Sequence, residues 1–328
     1  MKLPLAFVAI LFSAFTVFAQ PCVDAAKQVK PQLSESVAQT YNANLAIARE
    51  AYNRNPNVAD EIIWYGRRTA YIGEYKEAIR IFTEGLRKFP NDARFYRHRG
   101  HRFITLRCFD AAIEDFERAV QLTKGKADVV EADGLPNERN IPTSTLQSNI
   151  RYHLGLAYYL KGDFKNALKA YNEAEEVSKN PDMLVATKHW QYMTLRRLGK
   201  RDEANKAVES IPSDLKIIEN GDYYDLVKIY KGLEGGDRLL KQFEASPDGL
   251  SNASIGYGLG NRYLYHGKPA EAMQIFRKIV AGNQWASFGY IAAEAELRRM
   301  QPGKQTFLLP VESLFGSAFA GHWKLEEH

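Results

Sequence analysis

The chain has 328 residues, of which 45% are hydrophobic and 25% are charged, and this is the composition of an ordinary globular protein. It excludes a wholly disordered chain, a collagen-like fibre and a membrane protein with many spans. Lysine and arginine total 44 against 39 acidic residues, and the resulting net charge of +5 indicates no particular class of partner. Two cysteines are too few for a disulfide-rich scaffold or a cysteine-rich zinc module.

The N-terminus has the pattern of a secretory signal peptide. Lys2 gives a positive start, residues 3–18 carry no charge, and Val17 and Ala19 stand at the −3 and −1 positions of a cleavage site. The sequence therefore predicts cleavage after Ala19 and an exported protein, periplasmic or secreted, without a stable membrane span. The alternative is an uncleaved anchor, for which sixteen apolar residues are short.

An internal repeat organises the rest of the sequence. Gly66, Ala78 and Phe82 recur 34 residues later as Gly100, Ala112 and Phe116, and the same spacing returns further along the chain. The recurring positions are a glycine (Gly66, Gly100, Gly155, Gly260), an alanine (Ala78, Ala112, Ala167, Ala272) and an aromatic residue (Phe82, Phe116, Tyr171, Phe276). Glycine is costly inside a helix, so these glycines indicate places where a second helix packs closely, with the aromatic residues filling the space between neighbouring hairpins.

A second set of glycines predicts where the first helix of each hairpin ends, because glycine readily adopts the left-handed conformation that stops a helix. This set comprises Gly73, Gly162, Gly199, Gly232 and Gly267. Five hairpins are recognisable in this way, and two degenerate ones are inferred from the glycine spacing alone.

These residues resemble the tetratricopeptide repeat family, whose unit is a two-helix hairpin of about 34 residues. The resemblance implies an all-α fold, a right-handed superhelical solenoid of stacked helix-turn-helix hairpins. It also implies a binding scaffold whose concave face is lined by the first helix of each hairpin.

The repeat divides the chain into six parts. They are a signal peptide (1–19), an N-terminal capping helical segment (20–55), hairpins one and two (56–123), an inserted loop (124–146), hairpins three and four (147–211), and degenerate and regular hairpins with a C-terminal capping helix (212–323). The loop is either functional or a tolerated insertion. The apolar stretch 307–323 either closes the stack or forms an exposed docking helix.

The sequence contains no Walker loop, H-E-x-x-H, G-x-S-x-G or C-x-x-C motif, so we predict that the protein is not an enzyme and uses no cofactor. His98 and His101 have a spacing compatible with metal binding, but the surrounding arginines disfavour a cation. We therefore expect surface histidines and no metal. Asn252 begins an N-x-S glycosylation acceptor, a motif that is common by chance.

The two cysteines, Cys22 and Cys108, leave two alternatives open. An oxidising compartment permits a disulfide between them, and a remaining pair in an exported protein favours one. Otherwise they are two unrelated thiols.

The resemblance also selects residues for the ligand face. The segment from Arg94 to Arg102 is rich in arginine and histidine, and no acid lies between Asp92 and Asp110. Counted from the packing glycine of each hairpin, the groove positions of the family are occupied by Arg67, Arg94, Arg97, His101, Asn149, Tyr152, His189, Tyr257 and Asn261. Arginine holds carboxylates and tyrosine adds apolar area, so an acidic or C-terminal peptide is the expected partner. The alternative is a solvated arginine face paired with carboxylates of a neighbouring helix.

The function implied by the resemblance is that of an exported scaffold that binds a protein or peptide through its concave face. A glycan- or small-ligand-binding protein is one alternative, and stacked aromatic residues in a concave cluster would favour it. An enzyme with an unrecognised site is another, and a deep pocket with perturbed acids would favour it. Nucleic acid is not expected, because the chain is predicted to be exported and its net charge is small.

Overall fold

A computed structural model describes residues 19–233, 236–245 and 253–300. Residues 19–25 are helical, and fourteen longer helices follow. They are α1 (Glu35–Arg54), α2 (Ala59–Tyr71), α3 (Tyr75–Lys88), α4 (Ala93–Thr105), α5 (Phe109–Thr123), α6 (Leu146–Lys161), α7 (Phe164–Val177), α8 (Pro181–Arg197), α9 (Arg201–Glu209), α10 (Gly221–Tyr230), α11 (Gly236–Ala245), α12 (Ala253–Tyr265), α13 (Pro269–Ala281) and α14 (Phe288–Arg299). Most of the predicted signal peptide, the acceptor Asn252 and the apolar stretch 307–323 lie outside the described residues.

Most helices that are adjacent in sequence pack against each other in pairs, and successive pairs stack on one another. The regular hairpins are α2–α3, α4–α5, α6–α7, α8–α9 and α12–α13. Within the described ranges, the β structure is one isolated bridge between Val130 and Thr145. The prediction of an all-α solenoid of stacked hairpins is confirmed.

The predicted contact between glycine and aromatic ring is present in each regular repeat that carries the pattern. A Cβ atom added to Gly66 would lie 2.4 Å from the ring of Phe82, and one added to Gly100 would lie 2.9 Å from Phe116. Phe82 also stacks on His98 of the next hairpin, with 5.7 Å between ring centroids. Phe82 thus fills the space between a glycine of its own hairpin and the hairpin that follows.

At the turn inside each regular hairpin, one residue adopts the left-handed backbone conformation, as the second set of glycines predicts. Gly73 has φ of +85° and Gly162 has φ of +93°, which side chains rarely adopt. In the second hairpin, Arg107 occupies the equivalent place with φ of 65°. Its side chain reaches the far end of the stack.

Contacts between the two ends close the solenoid on itself. Arg107 donates to Glu294 of α14 at 2.7 Å, and its guanidinium covers the ring of Trp285 at 3.9 Å from the centroid. Trp285 in turn stacks on Tyr75, 6.0 Å away. The last described helix therefore returns to the second hairpin, and its start lies beside the inner face of the stack.

A disulfide between Cys22 and Cys108 fastens the N-terminal segment to the turn of the second hairpin, with Cα atoms 5.8 Å apart. Nearby, Lys30 forms an ion pair with Glu74 and Gln28 accepts a hydrogen bond from the backbone of Lys76. The segment before α1 is thereby held across the turns of the first two hairpins.

The Gly66 contact gives a stability prediction. Gly66→Ala should lower the midpoint of thermal unfolding, because overpacking costs about 1–3 kcal/mol and alanine recovers only about 1 kcal/mol of helix propensity. Gly221→Ala is the control, since no atom lies within 4 Å of the added Cβ there. Circular dichroism melts would measure both, and a Gly66→Ala variant as stable as its control would contradict this packing.

The disulfide gives a second prediction. It joins residues 86 positions apart, so its loss should cost about 2–5 kcal/mol through the greater freedom of the unfolded chain. Cys22→Ser should lower the unfolding midpoint in denaturant, and a reductant should lower that of the wild type but not of the variant. A wild-type midpoint insensitive to reductant, or free thiols in the purified protein, would contradict the bond.

Candidate ligand-binding cavity

A cavity of about 370 Å³ lies on the inner face of the stack. Side chains from α2, α4, α6, α8 and α10 form its walls, so it lies where the first helices of successive hairpins meet. The loop between α5 and α6 covers one side with Glu131, Asp133 and Leu135, and Phe288 at the start of α14 lines another. The inserted loop and the returning helix thus turn an open groove into a partly enclosed site.

Five of the predicted groove residues line this cavity. They are Arg67, Arg97, His101, Asn149 and Tyr152. They come from α2, α4 and α6, the hairpins in which the repeat pattern is clearest.

The other four predicted groove residues do not reach it. Arg94 donates to Asp92, which caps its own helix, and to Asp60 of the preceding hairpin, so it matches the alternative of a solvated arginine paired with neighbouring carboxylates. His189, Tyr257 and Asn261 are fully buried. The physical reason is that α8 and α12 pack against each other and α14 packs on α12, which covers the face that an open solenoid would expose.

These buried residues belong to an aromatic core next to the cavity. Tyr257 donates to the hydroxyl of Tyr159 at 2.7 Å, and the ring of His189 stacks on Tyr223 with centroids 4.6 Å apart. Tyr257 also stacks on Trp190, which is fully buried. These rings stack mainly on one another, and Tyr223 among them also lines the cavity.

Arg97 organises the histidines of the cavity. Its Nε donates to Glu131 of the inserted loop at 2.9 Å, and its Nη1 lies 3.4 Å from Nδ1 of His98 and 3.3 Å from Nδ1 of His101. Since arginine is always a donor, both Nδ1 atoms accept, and each ring carries its proton on Nε2. His153 differs, because its Nδ1 lies 2.7 Å from the carbonyl of Asn149 and therefore donates.

The histidines are neutral and largely buried, which corrects the expectation of surface residues. Burial lowers the pKa of His98 well below its usual range, and the charge of Arg97 lowers it further. Burial also dominates the lowered pKa of His101 and of His153, followed by the charge of a neighbouring arginine. The rings of His101 and His153 lie only 4.8 Å apart, a spacing that two charged imidazoles would oppose.

Arg102 is a cation without a carboxylate partner in the described parts of the chain. Its side chain lines the cavity, and burial lowers its pKa to about 10, with the charges of Arg97 and Arg67 acting in the same direction. Arg67 contributes a second incomplete donor, because its Nε is buried without a hydrogen-bond partner among the described residues. A desolvated guanidinium without a counter-ion is unfavourable, so an anion entering here would be stabilised.

Carboxylates gather on the side of the inserted loop. Asp133 lines the cavity and forms no ion pair or hydrogen bond with any described residue. Burial raises the pKa of Asp133, and the charge of Glu219 raises it further. Glu219 accepts from Asn137 and from Thr143, both at 2.7 Å. Gly134 lets the loop approach α2, because a Cβ there would lie 2.8 Å from Nη2 of Arg67.

Several of these residues escaped the sequence prediction. The acid-free stretch around Gly100 contains Arg102, but the spacing of the repeat does not assign it to the groove. Asp133 and Glu219 come from segments between repeats, where the repeat gives no register. For Asp133 the only signal was that the inserted loop is polar and rich in glycine and proline.

No group of three or more histidine, cysteine, aspartate or glutamate side chains in the described ranges is arranged to hold a metal ion. None of the helices in those ranges has the length and apolar character needed to cross a membrane.

Comparison with known families identifies tetratricopeptide repeats in two segments. Models of this repeat match residues 66–128 and residues 148–181, which correspond to hairpins α2–α3, α4–α5 and α6–α7. Over these segments the match agrees with the resemblance that the spacing of glycine, alanine and aromatic residues indicated. No curated protein matches the chain.

Among solved structures, the chain is similar to a tetratricopeptide repeat protein from Parabacteroides merdae, with 14% identity, a TM-score of 0.46, and coverage of 87% of this chain and 98% of the other. It is also similar to YrrB, described as a protein with an unusual peptide-binding site, with 17% identity, a TM-score of 0.41, and coverage of 76% and 97%. A thermophilic repeat protein from Thermus thermophilus has 18% identity, a TM-score of 0.38, and coverage of 73% and 100%. At these scores the likenesses carry no conclusion about the cavity.

The neutral histidines give a prediction about acid stability. A group whose pKa is lower in the folded state than its unfolded value of about 6.5 contributes full stability above that value and loses it as the pH falls. Each of His98, His101 and His153 should therefore make the folded state less stable as the pH falls below about 6.5.

Denaturant unfolding at several pH values would measure how steeply the free energy of unfolding falls as the pH falls. His153→Gln should make the decline between pH 6.5 and pH 5 shallower by about one bound proton, whereas replacing the exposed His266 by glutamine should leave it unchanged. Equal slopes in the two variants would show that His153 takes up its proton in the folded state.

Proposed function

We propose that this protein is an exported tetratricopeptide scaffold whose inner cavity binds the acidic or carboxylate end of another protein or peptide. The observation that carries this proposal is Arg102, a half-buried arginine that lines the cavity and has no carboxylate partner among the described residues. Carboxylates bind arginine through two parallel hydrogen bonds, and Arg67 also lines the cavity, with an unfilled donor.

Export is supported by two features. One is the charge-free stretch at residues 3–18 after Lys2, which is typical of a cleaved signal. The other is the Cys22–Cys108 disulfide, a bond that persists in oxidising compartments and is rare in the cytosol.

A catalytic role is the second candidate, and one observation favours it. The raised pKa of Asp133 occurs in a cavity that also holds neutral histidines, and such perturbed groups gather at active sites. Turnover of a bound ligand by the purified protein, lost in Asp133→Asn, would support this candidate over a scaffold.

The scaffold proposal predicts that replacing Arg102 weakens peptide binding, whereas replacing Arg94 does not. Peptides selected from a random hexapeptide library with free C-termini should bind the wild type, and Arg102→Gln should weaken that binding about 10- to 100-fold, the cost of one lost charged contact. Arg94→Gln is the control, because Arg94 is held by Asp92 and Asp60 away from the cavity. Fluorescence anisotropy at two salt concentrations would measure the affinities.

The folded state of both variants is checked by circular dichroism. If no peptide is selected, or if a folded Arg102→Gln variant binds the selected peptides as well as the wild type, the cavity is not the acidic-peptide site.

A further inference from the structure

The cavity holds unpaired charges of both signs. Arg102 on α4 lacks a carboxylate partner in the described ranges, and Asp133 on the inserted loop lacks a hydrogen-bond or ion-pair partner there, although both line the same space. They do not pair with each other. Two opposite charges that share a cavity and stay apart leave each free to bind a group of the opposite sign.

Arg102 and Asp133 come from different walls of the cavity, α4 and the inserted loop, and Arg67 of α2 lies close to that loop. Burial lowers the pKa of Arg102 most, and the charges of Arg97 and Arg67 lower it further, with no carboxylate acting strongly against them. Burial and the charges of Glu219 and Glu131 raise the pKa of Asp133, whereas the charges of Arg67 and Arg97 lower it. Glu219 is held by the uncharged donors Asn137 and Thr143. Glu219 therefore adds negative charge that no described cation neutralises by an ion pair.

The size of the cavity limits what can enter. A volume of about 370 Å³ is near the lower end for small-ligand sites, which are roughly 300–1,000 Å³. That volume holds one or two amino-acid residues, and an extended segment or a helix would not fit beneath the loop. Between the two charged sides, Met183, Ala186 and Phe288 provide apolar wall.

From these observations we propose that the cavity recognises a small zwitterionic group, with a carboxylate held by Arg102 and Arg67 and an ammonium held by Asp133 and Glu219. The inference rests on the proposed function, because it assigns the ligand class of the same site. Two sources carry this chemistry: a free dipeptide, and the C-terminal lysine of a protein, which combines its carboxylate with a side-chain ammonium.

The test uses the full chain and four probes. The free dipeptide Ala-Lys represents the small-molecule source, and an N-acetylated tetrapeptide ending in lysine represents a protein C-terminus. The third probe is the same tetrapeptide with the lysine side chain acetylated, which removes the ammonium, and the fourth is its C-terminal amide, which removes the carboxylate. Isothermal titration calorimetry would measure each affinity.

At least one of the first two probes should bind, and removing either charge from the lysine-terminated tetrapeptide should weaken its binding by about tenfold or more. If only the dipeptide binds, its N-acetylated form and its C-terminal amide replace the modified tetrapeptides in this comparison. Asp133→Asn should weaken binding of the zwitterionic probe by a similar factor. Acetylation of the lysine side chain should then no longer change the affinity. Glu138→Gln is the matched control, since Glu138 lies on the same loop, is exposed and does not line the cavity.

The outcomes separate this inference from the function on which it rests. If acidic peptides bind through Arg102 while acetylation of the ammonium and Asp133→Asn change nothing, the zwitterion is wrong and the scaffold proposal stands. If neither zwitterions nor acidic peptides bind, both are wrong. Loss of binding in Glu138→Gln equal to that in Asp133→Asn would also overturn the assignment, because it would reflect the general charge of the loop.

Discussion

The contact of an aromatic ring with a glycine of its own hairpin and a histidine of the next is the constraint on which the site depends. Phe82 packs on Gly66 and stacks on His98, and Phe116 packs on Gly100 and stacks on His153. The same packing that sets the stacking of the hairpins therefore turns histidines towards the inner face. Their neutrality follows from that burial, because desolvation disfavours the charged imidazole.

The second determinant of the site is the closure of the stack of hairpins. Arg107 reaches from the second hairpin to Glu294 and Trp285, and this holds the start of α14 beside the inner face. A longer solenoid of the same repeats would present an open groove to an extended partner. Here Phe288 on one side and the inserted loop on another reduce the groove to a cavity, so the size of the ligand is limited by contacts that are distant in sequence.

Some charged side chains of the cavity form ion pairs with other described residues, and others do not. Arg97 is paired with Glu131 and also positions two histidines. Elsewhere in the hairpin, Arg99 is paired with Asp115 in the core. Arg102 lies a short distance along the same helix and has no such partner in the described part of the chain. A buried charge is costly unless it is paired, so the contrast between these arginines marks the position at which an external anion would contribute most to stability.

The sequence by itself determined the repeat. The spacing of glycine, alanine and aromatic residues identified the hairpins and their left-handed turns, because close helix packing and a positive φ can be met by few residue types. The family resemblance then selected Arg67, Arg97 and His101 as groove residues, and all three line the cavity. Only the tertiary structure decided that Arg94 is held outside and that α14 buries Tyr257 and Asn261. It alone brought Asp133 and Glu219 into the same cavity as Arg102, because those contacts join segments between repeats, where no periodicity gives a register.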